Sequence, residues 1–231
     1  PATVLYATGE ESVAQTAMRA RRVGAAVPAL ALVAETDVEK IVAHATAARP
    51  RVLAVDSIQT VYTPVLDSIP GSLAQVRECA SRLVQFAKTT GTPTVLGGHV
   101  TKDGGLAGPK TLEHLVDAVL SLEGERLGTL RLLRATKNRF GSTEEVGVLE
   151  MAGSGLREVP DPARAFLGPA TDAAGTAVAA TLEGSRPLLV EVQALVAPAG
   201  GFGAPRQTVS GIETSRMALL VAVLARRVGL D

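Results

Sequence analysis

Short aliphatic runs alternate with helix-forming segments through the first hundred residues, and this alternation restricts the possible folds more than any other feature. The strand-like runs lie at 4–7, 30–33, 52–55 and 94–96. Segments with helical spacing of apolar residues lie between them, at 12–23, 38–48 and 73–88. Alternation of this kind builds βαβ units, so the sequence predicts an α/β fold with a parallel sheet covered by helices on both faces.

The ends of the second helical segment carry their own signals. Thr36 followed by Glu39 is a capping-box pattern, which predicts a helix start at that point. Pro50 predicts that the helix ends before it, because the residue preceding a proline avoids the α region.

After about Leu112 the pattern changes to strand-like runs joined by short glycine-containing turns. Runs at 118–122, 129–135 and 146–151 predict antiparallel strands added to the edge of the parallel sheet. The segment Val159-Pro160-Asp161-Pro162 then reads as a linker, since two prolines in three residues stiffen the chain. We therefore predict a first domain over 1–160 and a second over 161–231.

The second domain is smaller. Runs at 176–182 and 188–196 predict a hairpin, and 212–228 predicts one helix that is apolar on most faces. A helix with so little polar surface is expected to be buried.

Composition excludes several classes of protein. Lys+Arg and Asp+Glu balance at 23 each, so the whole chain gives no electrostatic footprint for nucleic acid. Cys79 is the only cysteine, which rules out an internal disulfide or a thiolate zinc cluster and suits a reducing cytoplasm. No secretion signal is present at the start, and the longest apolar run, 217–225, is far shorter than the ~20 residues of a membrane span. Because a core strand begins within a few residues of Pro1, we expect the sequence to be part of something longer.

Acidic residues follow two of the predicted strands. Asp56 ends the run 52–55, and ligands of open α/β sheets bind beyond the carboxyl ends of the strands. A carboxylate there can hold Mg²⁺, often through water, beside a nucleoside triphosphate. A turn or helix-cap role explains Asp56 equally well. Glu10 and Glu11 follow the first strand and could activate a water molecule, although an acidic first helical turn is the simpler explanation for either alone.

Two further segments carry residues suited to phosphate chemistry. His99 follows the strand at 94–96 and could sense a γ-phosphate, or it is an ordinary surface histidine. The glycine-rich loop after it contains Lys102 and Lys110, a composition that suits mobile contact with a phosphate backbone and also an ordinary surface loop. The run Lys137-Asn138-Arg139 could present charge to a phosphate on a neighbouring subunit, or it is a basic turn. No G-x-x-x-x-G-K-[ST] phosphate-loop pattern occurs in the chain.

None of these motifs is specific alone, but their residues and their order along the chain resemble the RadA/Sms family of bacterial DNA-repair ATPases over essentially the whole chain. The segments that carry the resemblance are T-G-E-E-S (8–12), A-V-D-S-I-Q-T-V-Y (54–62), P-G-S (70–72), Q-V-R-E (75–78), G-H-V-T-K (98–102), G-P-K-T-L-E-H (108–114), K-N-R-F-G-S-T (137–143), G-L-R-E-V-P (155–160) and G-S-R-P-L-L-V-E-V-Q-A-L-V (184–196). The run K-N-R-F-G is the hallmark of that family.

The resemblance implies a fold and an activity. The fold would be a RecA-like, mostly parallel sheet flanked by helices with antiparallel edge strands, followed by the start of a Lon protease-like α+β domain. The activity would be that of a hexameric, DNA-dependent ATPase, similar to DnaB-type helicases, that drives branch migration in homologous recombination. Its cofactors would be ATP and Mg²⁺, and its partners single-stranded DNA, branched recombination intermediates and RecA recombinase.

The resemblance also implies roles for individual residues. Asp56 matches the Walker B aspartate, and Glu10 the water-activating glutamate, with Glu11 as a possible second. His99 matches the nucleotide-sensing position. Lys137, Asn138 and Arg139 belong to the motif that couples ATP to DNA work, through nucleotide in trans or through DNA. The loop with Lys102 and Lys110 would face the DNA channel.

The chain departs from the family pattern at two points. The four-cysteine zinc finger and the Walker A loop are not in it, so we expect this chain alone to bind ATP weakly and not to hydrolyse it measurably. The Lon-like part would act as a scaffold and DNA-binding element, without protease activity. A non-catalytic, ring-forming DNA-binding scaffold is the alternative function. A KaiC-like ATPase does not explain K-N-R-F-G, and a Lon-type peptidase is disfavoured.

Overall fold

The computed structural model describes residues 4–99, 112–124, 129–164, 166–167, 174–196 and 207–229. The chain divides into two compact units. The larger comprises Pro1–Thr171 with Val178–Glu191, and the smaller comprises Asp172–Ala177 with Val192–Asp231. The domain boundary expected at residue 160 stays a prediction.

A four-stranded parallel sheet is built from the strands predicted in the first hundred residues. Its strands are β1 (Val4–Thr8), β2 (Leu30–Ala34), β3 (Val52–Asp56) and β4 (Thr94–Leu96), in the order β2-β1-β3-β4. The helices between them are α1 (Val13–Arg22), α2 (Val38–Ala48) and α3 (Leu73–Thr90). The predicted α/β alternation and parallel sheet are therefore confirmed.

One face of this sheet carries the main core. Leu5 and Ala7 of β1 lie opposite Leu53 and Val55 of β3 in register, so strand alternation places all four on the same face. There they pack in one buried cluster with side chains of α2 and α3. The same alternation places Tyr6, Thr8 and Asp56 on the other face.

The start of α2 differs from the sequence-based expectation by one residue. Its N-cap is Asp37, whose carboxylate accepts the backbone N–H groups of Glu39 and Lys40, so the capping box expected at Thr36 is wrong. The physical reason is that the Glu39 carboxylate is engaged elsewhere, by the Thr63 hydroxyl at 2.9 Å and by Arg82 at 2.7 Å. The helix ends at Ala48, as Pro50 predicted.

The antiparallel strands that follow form a sheet of their own among the described residues. They are β5 (Ala118–Gly124), β6 (Leu130–Asn138), β7 (Val146–Ala152) and β8 (Gly155–Glu158), in the order β5-β6-β7-β8. The sequence predicted the antiparallel strands but expected them at the edge of the parallel sheet. A separate small core explains the independent sheet, since Leu132, Val146, Val148 and Leu188 are buried together.

The remaining elements are β9 (Thr176–Glu183), β10 (Arg186–Gln193) and α4 (Thr214–Val228). The hairpin and the helix were both predicted, but the burial expected for α4 is wrong, because none of its residues is buried. Leu219, the most exposed of its leucines, is 65% exposed, so the apolar side of α4 is largely open to solvent. No helix of the described part of the chain is both long and apolar enough to cross a membrane.

Candidate functional site

The carboxyl ends of β1, β3 and β4 meet at one edge of the parallel sheet, and three candidate residues meet there. Glu10 follows β1, Asp56 ends β3 and His99 follows β4. Backbone hydrogen bonds join the three strand ends, from Gly9 N–H to the Asp56 carbonyl at 2.8 Å and from Ile58 N–H to the Gly97 carbonyl at 2.9 Å. The sheet topology therefore brings together residues that lie up to 89 positions apart in sequence, Glu10 and His99.

Glu10 lies at the centre of this group. Its Oε1 accepts the Ser57 hydroxyl at 2.5 Å and lies 3.0 Å from Nε2 of His99. The His99 contact is a hydrogen bond when the imidazole carries a proton on Nε2, and an ion pair when the ring is protonated. Ser57 is fully buried, whereas the Glu10 side chain is 36% exposed. Glu10 is thus fixed from inside the protein and still open to a ligand from outside.

Asp56 is fixed by a different hydroxyl group. Tyr6 donates its phenolic O–H to Asp56 Oδ2 at 2.5 Å, across the face opposite the main core. Burial first, and this hydrogen bond second, raise the pKa of Tyr6 well above its ordinary value. The phenol therefore stays protonated and remains a donor throughout the physiological pH range.

Close backbone packing at this edge explains two of its glycines. A Cβ on Gly9 would lie 2.0 Å from the Thr60 hydroxyl oxygen, which no real side chain tolerates. A Cβ on Gly97 would lie 3.1 Å from Asp56 Oδ1. Both glycines therefore allow the close packing of the strand ends against Thr60 and Asp56.

Glu11 takes no part in this group. Its carboxylate pairs with the Arg19 guanidinium on α1, and its backbone N–H donates to the Thr8 hydroxyl at 3.1 Å. Although Glu10 and Glu11 are adjacent in sequence, the structure directs only Glu10 to Ser57 and His99.

Lys137, Asn138 and Arg139 lie at the end of β6, in the antiparallel sheet. Lys137 donates through Nζ to the carbonyl oxygens of Glu113 and Val116, the latter at 2.8 Å. Asn138 accepts the Phe140 N–H at 3.0 Å through its side-chain oxygen. Within the described residues, no hydrogen bond or ion pair links these three residues to Glu10, Asp56 or His99.

Arg139 is held more loosely than Lys137. Its side chain is 57% exposed and forms an ion pair with Asp117 at 2.9 Å. The Lys137 contacts, in contrast, close a turn whose Leu112 and Leu115 pack against the core of the parallel sheet. The two cations of one motif therefore sit in different environments.

Lys102 and Lys110 lie outside the described residues. The segment that contains them begins directly after His99, whose carbonyl oxygen accepts the Gln59 side-chain amide at 3.0 Å. Among the described residues, no group of three or more histidine, cysteine, aspartate or glutamate side chains is arranged to hold a metal ion.

Sequence reasoning missed Tyr6, Ser57 and Gln59 as members of the site. Tyr6 had a usable signal, because it is the one aromatic residue in an otherwise aliphatic and small-residue strand. Ser57 directly follows the strand-ending aspartate. The partners of both hydroxyl groups lie 47 or more positions away, which local patterns do not reveal.

Comparison with known proteins identifies the family. The chain is 52% identical over 229 residues to the DNA repair protein RadA of Bacillus subtilis, an alignment that covers 99% of this chain and 50% of that protein. It is 53% identical over 227 residues to the DNA repair protein RadA of Pseudomonas aeruginosa, covering 98% of this chain and 50% of that protein. The chain belongs to the RadA family of DNA repair proteins. This RadA-family chain spans about half the length of the curated relatives it matches. No protein-family model matches it.

The fold agrees with this assignment. The crystal structure of a KaiC-like protein from Pyrococcus horikoshii matches the RadA-family chain with a TM-score of 0.52, at 18% identity, over 69% of this chain and 76% of that one. The likeness places the chain in the RecA-like fold class, as expected from the sequence.

Proposed function

We propose that this RadA-family chain carries the metal-binding and water-activating half of an ATPase site that powers work on DNA during repair and recombination. The observation that carries the proposal is the placement of Glu10 and Asp56 at the ends of neighbouring strands, each anchored by its own hydroxyl donor. Two carboxylates fixed independently at this edge suit two separate tasks, one on a metal ion and one on water.

Asp56 is the residue that would hold Mg²⁺. Its carboxylate offers the hard oxygen ligands that Mg²⁺ prefers, and Tyr6 engages Oδ2 while Oδ1 lies toward Gly97. When bound, Mg²⁺ neutralises negative charge on the transferred phosphate.

Glu10 is the residue that would activate water. Its carboxylate orients the water molecule and accepts a proton as the water oxygen bonds to the γ-phosphorus. The bond from that phosphorus to the β–γ bridging oxygen breaks, and ADP departs with the electron pair. Nε2 of His99 lies close to Glu10. His99 would therefore transmit the loss of the γ-phosphate from Glu10 to the segment that follows His99.

The phosphates themselves require a further element. The chain contains no phosphate-loop motif, so the β- and γ-phosphates lack their main cradle. We expect the chain alone to bind ATP weakly and to turn over none measurably, and we expect activity when it is joined to a RadA phosphate loop.

Coupling to DNA and to neighbouring subunits is assigned to two other regions. Lys102 and Lys110 would contact the phosphate backbone of single-stranded DNA within a hexameric ring. Arg139 is better suited than Lys137 to reach a nucleotide in trans, because releasing an exposed ion pair costs at most about 1 kcal/mol. Lys137 instead stabilises its own subunit through two carbonyl contacts. Branch migration, alongside RecA recombinase, is the DNA work that the family resemblance implies.

The second candidate function is a ring-forming DNA-binding scaffold that hydrolyses nothing. The missing phosphate-loop motif favours it for this chain. Residues 161–231, which we propose as the start of a Lon-like scaffold domain, would serve either function. A scaffold gives no reason for Glu10 and Asp56 to be fixed separately, which is why the ATPase is preferred.

The test compares the two adjacent glutamates in a version of the chain extended upstream through the phosphate loop. We expect Glu10→Gln to lower DNA-stimulated ATP hydrolysis by about 10²–10⁴-fold. We expect Glu11→Gln to retain most of the activity, because Glu11 faces Arg19. Hydrolysis by Glu10→Gln within about tenfold of wild type would refute the assignment of Glu10. Equal loss in both variants would refute the separation of the two residues.

A further inference from the structure

We propose that Ser57 is a positioning residue for Glu10, and that it determines which carboxylate oxygen of Glu10 receives the proton from water. The inference rests on the proposed ATPase function and adds a residue to it. Its basis is the hydrogen bond of 2.5 Å that the Ser57 hydroxyl donates to Glu10 Oε1.

Ser57 is the buried one of the two described donors to Glu10. Its side chain is fully buried, and its carbonyl oxygen accepts both the Thr60 N–H at 3.1 Å and the Thr60 hydroxyl at 2.8 Å. The backbone N–H of the next residue, Ile58, donates a hydrogen bond to the carbonyl oxygen of Gly97, directly after β4. Because these backbone hydrogen bonds fix the position of Ser57, its hydroxyl is held within reach of Glu10 Oε1.

His99, the other donor to Glu10, is different in kind. Its side chain is 56% exposed, and it lies where β4 gives way to the following segment. An exposed histidine can turn away from Glu10 without opening the core, whereas the buried Ser57 hydroxyl cannot. Ser57 therefore supplies the constant part of the Glu10 orientation and His99 the variable part.

The two donors converge on the same oxygen atom. Oε1 of Glu10 accepts a hydrogen bond from the Ser57 hydroxyl and lies within hydrogen-bonding distance of Nε2 of His99. Oε2 of Glu10 accepts no hydrogen bond from any described residue. An oxygen whose lone pairs are already engaged is a poor proton acceptor. The geometry therefore assigns Oε2 as the atom that meets the water molecule, and Ser57 as the group that turns it there.

A purely structural role for Ser57 would be the satisfaction of a buried hydroxyl group by the nearest acceptor. The two roles predict different results in a double-mutant cycle. A residue that acts only through Glu10 has no further effect on hydrolysis once Glu10 has lost its carboxylate.

The experiment uses the chain extended upstream through the phosphate loop, as wild type, Glu10→Gln, Ser57→Ala and the double variant. We expect Ser57→Ala to lower kcat by about tenfold to a hundredfold with the KM for ATP unchanged, since misplacing a reacting group by ~1 Å has an effect of this size. We expect the double variant to match Glu10→Gln. Ser68→Ala is the matched control, because the buried Ser68 hydroxyl makes no hydrogen bond with the described residues, and it should hydrolyse ATP like wild type.

The outcomes separate the two proposals. If Glu10→Gln hydrolyses ATP within about tenfold of wild type, the proposed function fails. If Glu10→Gln keeps only a small residual activity but Ser57→Ala keeps kcat within twofold of wild type, only the inference about Ser57 fails. It fails as well if Ser57→Ala lowers the residual activity of Glu10→Gln by the same factor as it lowers wild type, since Ser57 would then act on the fold.

Discussion

Replacement of Gln75 by alanine should destabilise the segment that precedes α3, although Gln75 touches none of the proposed catalytic residues. The Gln75 side chain is 99% buried at the first turn of α3. Its Oε1 accepts the Thr63 N–H at 2.9 Å. Its Nε2 lies within hydrogen-bonding distance of the carbonyl oxygens of Thr63, Leu66 and Ser68, at 3.1, 3.2 and 2.9 Å. One amide group therefore holds residues 63–68 of the connection from β3 to α3 in place.

The expected cost follows from these contacts. Truncation leaves the Thr63 N–H buried without its acceptor, which costs about 1–3 kcal/mol. Losing the Nε2 hydrogen bonds to the carbonyl groups adds about 1 kcal/mol, because water can replace some of them at the more exposed end. We expect Gln75→Ala to lower the free energy of unfolding by about 2–4 kcal/mol.

The assay is urea unfolding followed by circular dichroism, with amide hydrogen exchange at Thr63 as the local measurement. Gln85→Ala is the matched control, since Gln85 is an exposed glutamine on the same helix and should change stability by at most about 0.5 kcal/mol. The reasoning is refuted if Gln75→Ala is as stable as Gln85→Ala, or if the Thr63 amide stays protected in it.

Three further predictions follow from the described contacts. Gly9→Ala should lower the free energy of unfolding by about 1–3 kcal/mol and slow hydrolysis in the extended chain, because its Cβ would meet the Thr60 side chain. Thermal unfolding should show part of that stability recovered when Gly9→Ala is combined with Thr60→Gly. No recovery would contradict the clash. Burial raises the pKa of Cys79 to about 12 from 9.0, so the folded thiol should resist Ellman's reagent at pH 8 until urea unfolds the chain. The thiol of the unfolded chain ionises at lower pH than the buried thiol, so burial of neutral Cys79 makes the folded state more stable only while the unfolded thiol is also neutral. This contribution to the free energy of unfolding is complete below about pH 9 and is lost between about pH 9 and 12. A free energy of unfolding that stays constant over this range would contradict the prediction. Lys137→Ala should destabilise the chain by about 1–3 kcal/mol, because its contacts with two carbonyl oxygens are lost. Arg139→Ala should leave stability nearly unchanged but lower DNA-stimulated hydrolysis. Equal melting temperatures for the two variants would contradict this difference.

The parallel half of the fold was predictable because its signals are local. Aliphatic runs and helical spacing lie within single segments, and the end of α2 at Ala48 was predicted from Pro50, although its N-cap is Asp37 and not Thr36. The Gly155–Glu158 strand was missed, because its four residues contain a single large apolar side chain, Leu156. The burial of α4 was wrong because an apolar pattern shows that a helix favours a partner, without showing that one is present.

The position of the candidate site was predictable in the same way, but the contacts of its side chains were not. Glu10, Asp56 and His99 could be expected at one sheet edge, because parallel strands place their carboxyl ends together. The choice between Glu10 and Glu11 was not accessible, since it depends on the ion pair that Arg19 makes eight residues away. The donors Tyr6 and Ser57 were also missed, because their partners come from other strands.

Half of a DNA-stimulated ATPase site, as proposed for this chain, should be inactive until a phosphate loop completes it. The most direct test is ATP hydrolysis by the chain alone and by the version extended upstream through the phosphate loop, each with and without single-stranded DNA. We predict no measurable activity for the chain alone, and activity that DNA stimulates for the extended form. If the extended form folds and binds DNA but hydrolyses no ATP, the scaffold function replaces the motor, and Glu10 and Asp56 become structural acids.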